Sequence, residues 1–221
     1  MQYLSSAQVK DLELKANEIR QSIITMLTEA GSGHTAGPLG MADVFTLLYF
    51  ALLKHDPKNP NWEERDRLIL SNGHICPVLY ATMAHAGYFP VEELKTLRKF
   101  GSRLQGHPHR TVLPGLETTS GPLGSGLSQA VGMALAERID NPYSSKYFYC
   151  LTGDGELDEG QIWEALMLAG KEQLNNLIVI IDRNGIQIDG YTKDVMPLEP
   201  LREKLESFNF DVQEVDGHNM R

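Results

Sequence analysis

Cysteine is scarce: the 221 residues hold only Cys76 and Cys150. Neither has metal-type spacing and both stand among apolar residues, which excludes a disulfide scaffold or zinc knuckle and reads them as buried thiols. Positive charge is also in short supply, with 20 Lys and Arg against 29 Asp and Glu, a formal net charge of −9. General binding to nucleic acid rests on basic side chains displacing counterions, so that class is excluded and an anionic small ligand would need a site built locally. No apolar run reaches membrane-spanning length. The opening "MQYLSSAQVKDLELKANEIR" is polar and charged, without the apolar centre of a secretion signal. Together these absences point to a cytoplasmic protein that contacts no membrane.

What is present is an ordinary globular composition, 42% hydrophobic, enough for a substantial core and read as a single domain over 1–221. From Ser6 to Ala30 the apolar positions Leu12, Ala16, Ile19, Ile23, Met26 and Leu27 recur at helical spacing, and Gly31 ends the pattern. Further helices are expected over 41–53, 77–87, 90–101, 124–139, 160–173 and 197–208, the fourth rich in small residues. Strands are expected over 146–153, 176–185 and 210–217, and a short strand followed by a loop over 66–74. The run "NLIVIIDRNG" is continuously apolar, as in a parallel strand covered on both faces. Strand and helix alternate, so the predicted fold is α/β, a doubly wound, mostly parallel sheet flanked by helices, with ligands expected at a topological switch point.

The stretch "LTGDGELDEG" (151–160) is the most informative. An apolar strand before Gly153 and a helix after Gly160 put Asp154 at a strand's carboxyl end, where the flanking glycines Gly153 and Gly155 let backbone amides approach a ligand. The next strand ends in "DRNGIQI", so Asn184 and the carbonyl of Ile186 are expected beside Asp154. A carboxylate, an amide oxygen and a carbonyl make half of an octahedral shell. Mg2+ suits it best, completed by diphosphate and water, and Ca2+ accepts the same oxygens. The plainer reading of an isolated Gly-Asp-Gly is a turn with a capping acid. The matching asparagine favours a site.

The segment "GDGELDEGQIWEALMLAGKEQLNNLIVIIDRNGIQIDG" resembles the thiamine-diphosphate-binding motif in the form used by transketolases, and "SGHTAGPLG", "LSNGHICPVLYA", "FGSRLQGHP", "TTSGPLGSGLSQAVGMALA" and "MPLEPLREKLESF" extend the resemblance over nearly the whole chain. It is most similar to the N-terminal subunit of split bacterial transketolases. The resemblance implies thiamine diphosphate and Mg2+ held through Asp154, Asn184 and Ile186, and a backbone approach at Gly155. It also implies Gly121 and Leu123 along the cofactor, with Leu123 against the thiazolium. His34, His74 and His107 fall to the active-site channel, His74 toward the diphosphate and the other two toward donor hydroxyls. Each of the three follows a glycine, and imidazole suits proton transfer near neutral pH. His55, His85, His109 and His218 are read as structural or solvated.

Glu159 and Glu164 are assigned by the resemblance to a subunit interface, whereas Glu156 and Asp158 have an equal claim to be a solvated helix start. The implied partner is a C-terminal, pyrimidine-binding subunit supplying the activating glutamate, in a self-associating heterotetramer acting on sugar phosphates of the pentose phosphate type. The chain departs from the family's GHPGAPLG at Thr35, Ala36 and Gly37, and it ends at "VDGHNMR", before a later histidine-bearing loop, so a shortened domain is expected. Competing readings are a catalytically silent cofactor-binding subunit, or a related thiamine enzyme such as a deoxyxylulose-phosphate synthase. A dinucleotide-binding loop at "GSGHTA" follows a helix instead of a strand, the wrong context for that motif.

Overall fold

The computed structural model describes residues 4–221; Met1, Gln2 and Tyr3, the first letters of the polar opening, lie outside the described residues. The chain gathers into two units: one comprises the stretch ending at Arg65, His74–Thr119 and Val215–Arg221, the other Asp66–Gly73 and Ser120–Glu214.

In the first unit, α1 (Ser6–Ala30) begins with a capping box: the N–H of Gln8 donates to Ser5 Oγ and the N–H of Ser5 to Gln8 Oε1. It ends at Gly31, whose φ of 63° is the left-handed conformation glycine adopts freely. The predicted apolar stripe is the buried face, with Ala16, Ile19, Ile23 and Met26 fully covered. Two short helices follow, α2 (Ala36–Gly40) and α3 (Ala42–Leu47). The expected long helix over 41–53 instead widens into a π-helical turn, Leu48–Leu52. Helix α4 (Cys76–His85) is buried nearly all round, as its lack of polar positions requires. The segment expected to be helical over 90–101 holds only a 3-10 stretch, Val91–Thr96, and Arg98 then takes a φ of 59°. Acids at its start signalled the right beginning, but the stretch is 3-10 and stops at Thr96, short of the bases and glycine expected to close it.

The second unit carries the sheet. Strands β1 (Arg67–Leu70), β2 (Phe148–Gly153) and β3 (Leu177–Asp182) are parallel and adjacent in that order, joined by α5 (Ser125–Asp140) and α6 (Gly160–Glu172). The register pairs Leu70 with Leu151 and Gly153 with Asp182, so the carboxyl ends of β2 and β3 finish together. Ile69, Leu127, Ala130, Cys150, Ile162, Leu166 and Leu177 share one core cluster. The fold is α/β, a mostly parallel sheet flanked by helices, as expected. The strand order shows no reversal among the described strands, so the tips are neighbours through simple adjacency and not through the anticipated switch point.

Beyond β3 a two-stranded antiparallel ribbon, β4 (Ile186–Gln187) and β5 (Gly190–Tyr191), turns through the "IDG" triplet. Short helices α7 (Thr192–Val195) and α8 (Leu201–Ser207) follow. The strand expected over 210–217 does not form. Phe210 and Val212 satisfy their apolar character by packing on the sheet-unit core, without a ladder partner.

Candidate functional site

At the tip of β2 the chain turns through Asp154 into one 3-10 turn, Gly155–Asp158. Asp154 is 1% exposed. Its Oδ1 accepts the N–H of Gly155 at 2.8 Å and its Oδ2 the N–H of Gly185 at 2.7 Å. Its own N–H donates to the Asp182 carbonyl at 3.0 Å, continuing the β2–β3 ladder. The carboxylate therefore fastens the loop after β3 to the tip of β2, and Gly185, with φ 76°, supplies the bend that permits it. Among the described residues, no lysine or arginine forms an ion pair with Asp154.

Asn184 stands on that fastened loop. Its Nδ2 donates to Asp182 Oδ2 at 3.0 Å and its Oδ1 accepts the N–H of Ile186 at 3.0 Å. Ile186 is exposed at the start of the ribbon. The structure thus brings Asp154, Asn184 and Ile186 onto two tied loops. Set against the needs of Mg2+ and a diphosphate, the corner offers a deeply buried carboxylate without a basic partner, an amide oxygen and main-chain carbonyls, a hard-oxygen donor set. Among the described residues, no three His, Cys, Asp or Glu side chains gather as a metal cage. Further ligands to a cation at this corner would come from phosphate or water.

The surrounding loops fit the same group. Asn72, 1% exposed, leaves Oδ1 without a hydrogen-bond partner, and its Nδ2 lies 3.7 Å from where a side chain on Gly153 would begin. A buried acceptor left unpaired is costly unless something outside the chain meets it. Gly121 has no protein atom within 4 Å of a would-be Cβ, so the fold itself does not demand glycine there. Gly155 differs: a Cβ would lie 2.7 Å from Cβ of Gln187, so its small size serves the chain's own packing. Leu123 is set by Gln161, whose Nε2 donates to the Leu123 carbonyl at 2.6 Å, and Ser120 Oγ donates to the Leu70 carbonyl at 2.6 Å.

The acids of the 3-10 turn divide. Asp158 is exposed, while burial first, then Asp154 and Glu159, raise its carboxyl above the usual range. Glu156, for which a solvated helix start is one of two equal readings of the sequence, is 2% exposed. It accepts from Ser71 Oγ at 2.5 Å and the N–H of Gly124 at 2.6 Å through Oε1, and from the N–H of Gly153 at 3.1 Å through Oε2. Burial pushes its carboxyl up, opposed by those three hydrogen bonds. A run of acids reads as solvent-facing in sequence. The only hint against that was its position directly before the buried Leu157. Glu159 and Glu164 are exposed on the start of α6, and neither makes a capping bond there.

The three loop histidines belong to the first unit. The rings of His34 and His74 lie 5.0 Å apart, tilted by 56°. His74 follows the buried β1 loop; burial, then the nearness of His34 and His107, lowers its pKa to about 4. His107 is lowered by burial first, then by Arg98 and His34. Burial is thus the main cause at both His74 and His107, and His34 adds to it at each. Gly33 takes a φ of 131°, which L side chains rarely adopt, whereas a Cβ on Gly106 would meet only the Arg98 side chain, at 3.0 Å from its Nε, so glycine is required by the backbone before His34 and merely favoured before His107. The remaining histidines are structural or solvated: His55 bonds Tyr88 and the Tyr49 carbonyl, His85 bonds Ser22, His109 bonds Thr111 and His218 bonds Asp43. Cys76 and Cys150 are buried free thiols.

Residues 12–221 match the family model described as "Transketolase, thiamine diphosphate binding domain". The chain is 49% identical over 97% of its length to the 6-deoxy-6-sulfo-D-fructose transketolase subunit SqwG of Clostridium sp. (strain MSTE9), covering 77% of that protein. It is 42% identical over 96% of its length to an apulose-4-phosphate transketolase subunit from Phocaeicola vulgatus, covering 75% of it. Against the solved transketolase of Leishmania mexicana the TM-score is 0.89 at 39% identity, over 99% of this chain and 34% of that one. The chain therefore spans about three quarters of the subunit-type relatives and about a third of the undivided ones.

Proposed function

This chain belongs to the transketolase family, by its N-terminal thiamine-diphosphate-binding domain, and on that premise we propose that it holds the cofactor's diphosphate through Mg2+. With a separate pyrimidine-binding subunit it would transfer a two-carbon ketol unit from a ketose phosphate to an aldose phosphate in the cytoplasm. Residues 1–221 act in this reading as one cofactor-binding domain. The observation that carries it is Asp154: a carboxylate 1% exposed, held by two backbone N–H groups and by no basic side chain. Burying a carboxylate without a counter-charge is expensive, and a divalent cation supplies one.

In this reading Asp154, Asn184 and the Ile186 carbonyl hold the metal, and Gly121, Leu123, Gly153 and Gly155 form the backbone path of the cofactor. Thiamine diphosphate, when bound, supplies the carbanion chemistry that cleaves and forms the carbon–carbon bond. The chain's contribution is to fix the diphosphate end and to handle protons. His74, kept neutral by its surroundings, can accept a hydrogen bond at a ring nitrogen through the whole physiological range. His34 and His107, in more open positions, exchange protons with sugar hydroxyls. Glu159 and Glu164, exposed at the start of α6, face the partner in a self-associating assembly.

Wild-type protein is expected to gain thermal stability only when thiamine diphosphate and Mg2+ are both present, by several degrees at saturating ligand, with Asp154→Ala losing the gain. An equal shift in the variant removes Asp154 from the site. Ketol transfer is then measured in the presence of the pyrimidine-binding subunit, using xylulose 5-phosphate and a 6-sulfonated ketose in parallel. The names of the subunit-type relatives make the donor's terminal anion the open choice. Cofactor binding without turnover toward either donor would favour the catalytically silent reading.

A further inference from the structure

Glu156 ties the tip of its own strand to two loops far from it in sequence. Ser71 follows β1, Gly124 precedes α5 and Gly153 ends β2, and one carboxylate accepts a hydrogen bond from each. The joint is tight at the start of α5. Gly126, in the first turn of α5, would with a Cβ stand 2.5 Å from the Cα of Ser71, so the helix start and the β1 loop are in backbone contact. Gly124 itself takes a φ of 83°, and a Cβ there would lie 2.8 Å from Gln161 Cγ. The start of α5, the β1 loop and the tip of β2 therefore converge closely on one buried acid.

The chemistry of that acid is specific. Three donors converge, and with Ser71 donating, an ionised carboxylate accepts from all of them. A neutral amide of the same shape cannot: with Oε1 kept toward Ser71 and Gly124, its Nε2 would meet the N–H of Gly153 donor to donor. Rotating the amide restores Gly153 and sets a donor against the Gly124 N–H. Bonds of this charge-assisted kind are shorter and about twice as strong as neutral ones.

We propose that Glu156 is a positioning residue for the diphosphate. By holding the Gly124 and Gly153 amides and Ser71 to one point, it fixes the spacing at which the loops of Gly121, Leu123 and Asp154 meet the cofactor. This rests on the cofactor reading given above. Glu156 is not a metal ligand: its oxygens are spent inside the joint, whereas those of Asp154 are bound only by main-chain N–H groups at the loop that carries Asn184.

The test uses the full chain with and without its pyrimidine-binding partner, comparing wild type with Glu156→Gln. Binding of thiamine diphosphate with Mg2+ is read by titration calorimetry, and exchange of the Gly124 and Gly153 amide hydrogens is followed in the ligand-free protein. The expected result is a dissociation constant raised tenfold or more, with faster exchange at one of the two amides. In the reconstituted enzyme the apparent KM for thiamine diphosphate rises while kcat at saturating cofactor stays within twofold, a split that simple loss of folded protein would not produce. Should Glu156→Gln fail to fold, Ser71→Ala removes one donor and leaves the acid; about a threefold weaker affinity is then expected. Wild-type affinity in the variant that folds overturns the positioning role and leaves the cofactor reading intact. Absence of binding by the wild type overturns both.

Discussion

The histidine loops of the first unit and the carboxylate joint of the second solve opposite electrostatic problems. His34, His74 and His107 are gathered so that burial first, and His34 after it, makes a positive charge on His74 or His107 unwelcome, and all three keep some access to solvent. Asp154 and Glu156 are two acids within three residues, both almost fully buried, each stabilised by main-chain N–H groups and neither by a basic side chain. Backbone donors cannot swing away, so they suit a place where geometry must not vary. Side-chain imidazoles can gain and lose protons without refolding anything, and they suit a place where charge must vary.

That contrast can be attacked most forcefully at Gly126. Because its Cβ would meet the Ser71 backbone at 2.5 Å, Gly126→Ala should cost about 3 kcal/mol or more in chemical denaturation. A loss below about 1 kcal/mol would mean that the joint yields and that its rigidity is overstated.

Acid should expose the first unit instead. His74 falls from the ordinary 6.5 to about 4 in the folded chain, so between those values the unfolded chain binds the proton and the folded one does not. Stability is therefore present above about 6.5 and lost as pH falls toward 4. Allowing for solvent screening of a half-buried ring, the loss is about 2 kcal/mol. His74→Gln should flatten the stability curve in that window, and an unchanged slope would show that neither burial nor the neighbouring rings hold His74 neutral.

The smallest effect is expected at His218, whose Nδ1 contacts Asp43 at 2.8 Å from an exposed position. Asp43 keeps its paired contacts to Arg20, so His218→Ala should cost about 0.5 kcal/mol in thermal denaturation. A larger penalty would show that the first unit also depends on fixed charge geometry.

The segment from β2 through α6 to β3 was readable because two apolar runs and an amphipathic helix, each closed by glycine or a turn, leave one arrangement for a parallel pair. Adjacent tips followed from that, and with them the joining of Asp154 to the loop of Asn184. Less legible was whatever depends on a neighbour. The apolar residues of 210–217 suggested a strand, but a strand exists only where another offers its edge, and Phe210 and Val212 pack on side chains instead. Helix-end chemistry over 90–101 was correct in kind, yet Arg98 bends left-handed within it. Glu156 was hidden most thoroughly: besides Gly153 on its own turn, the donors that meet its buried acid come from Ser71 and Gly124, both distant in sequence.

Trp163 hangs beside this turn, its indole N–H donating to the Leu157 carbonyl at 2.8 Å. Leu157 sits one residue past Glu156, so the turn carries a native fluorophore bonded to its own backbone. Loosening or tightening there alters the indole's polar contact and hence its emission. With Trp62, the second tryptophan, replaced by phenylalanine, occupancy of the corner could be followed optically without any attached dye.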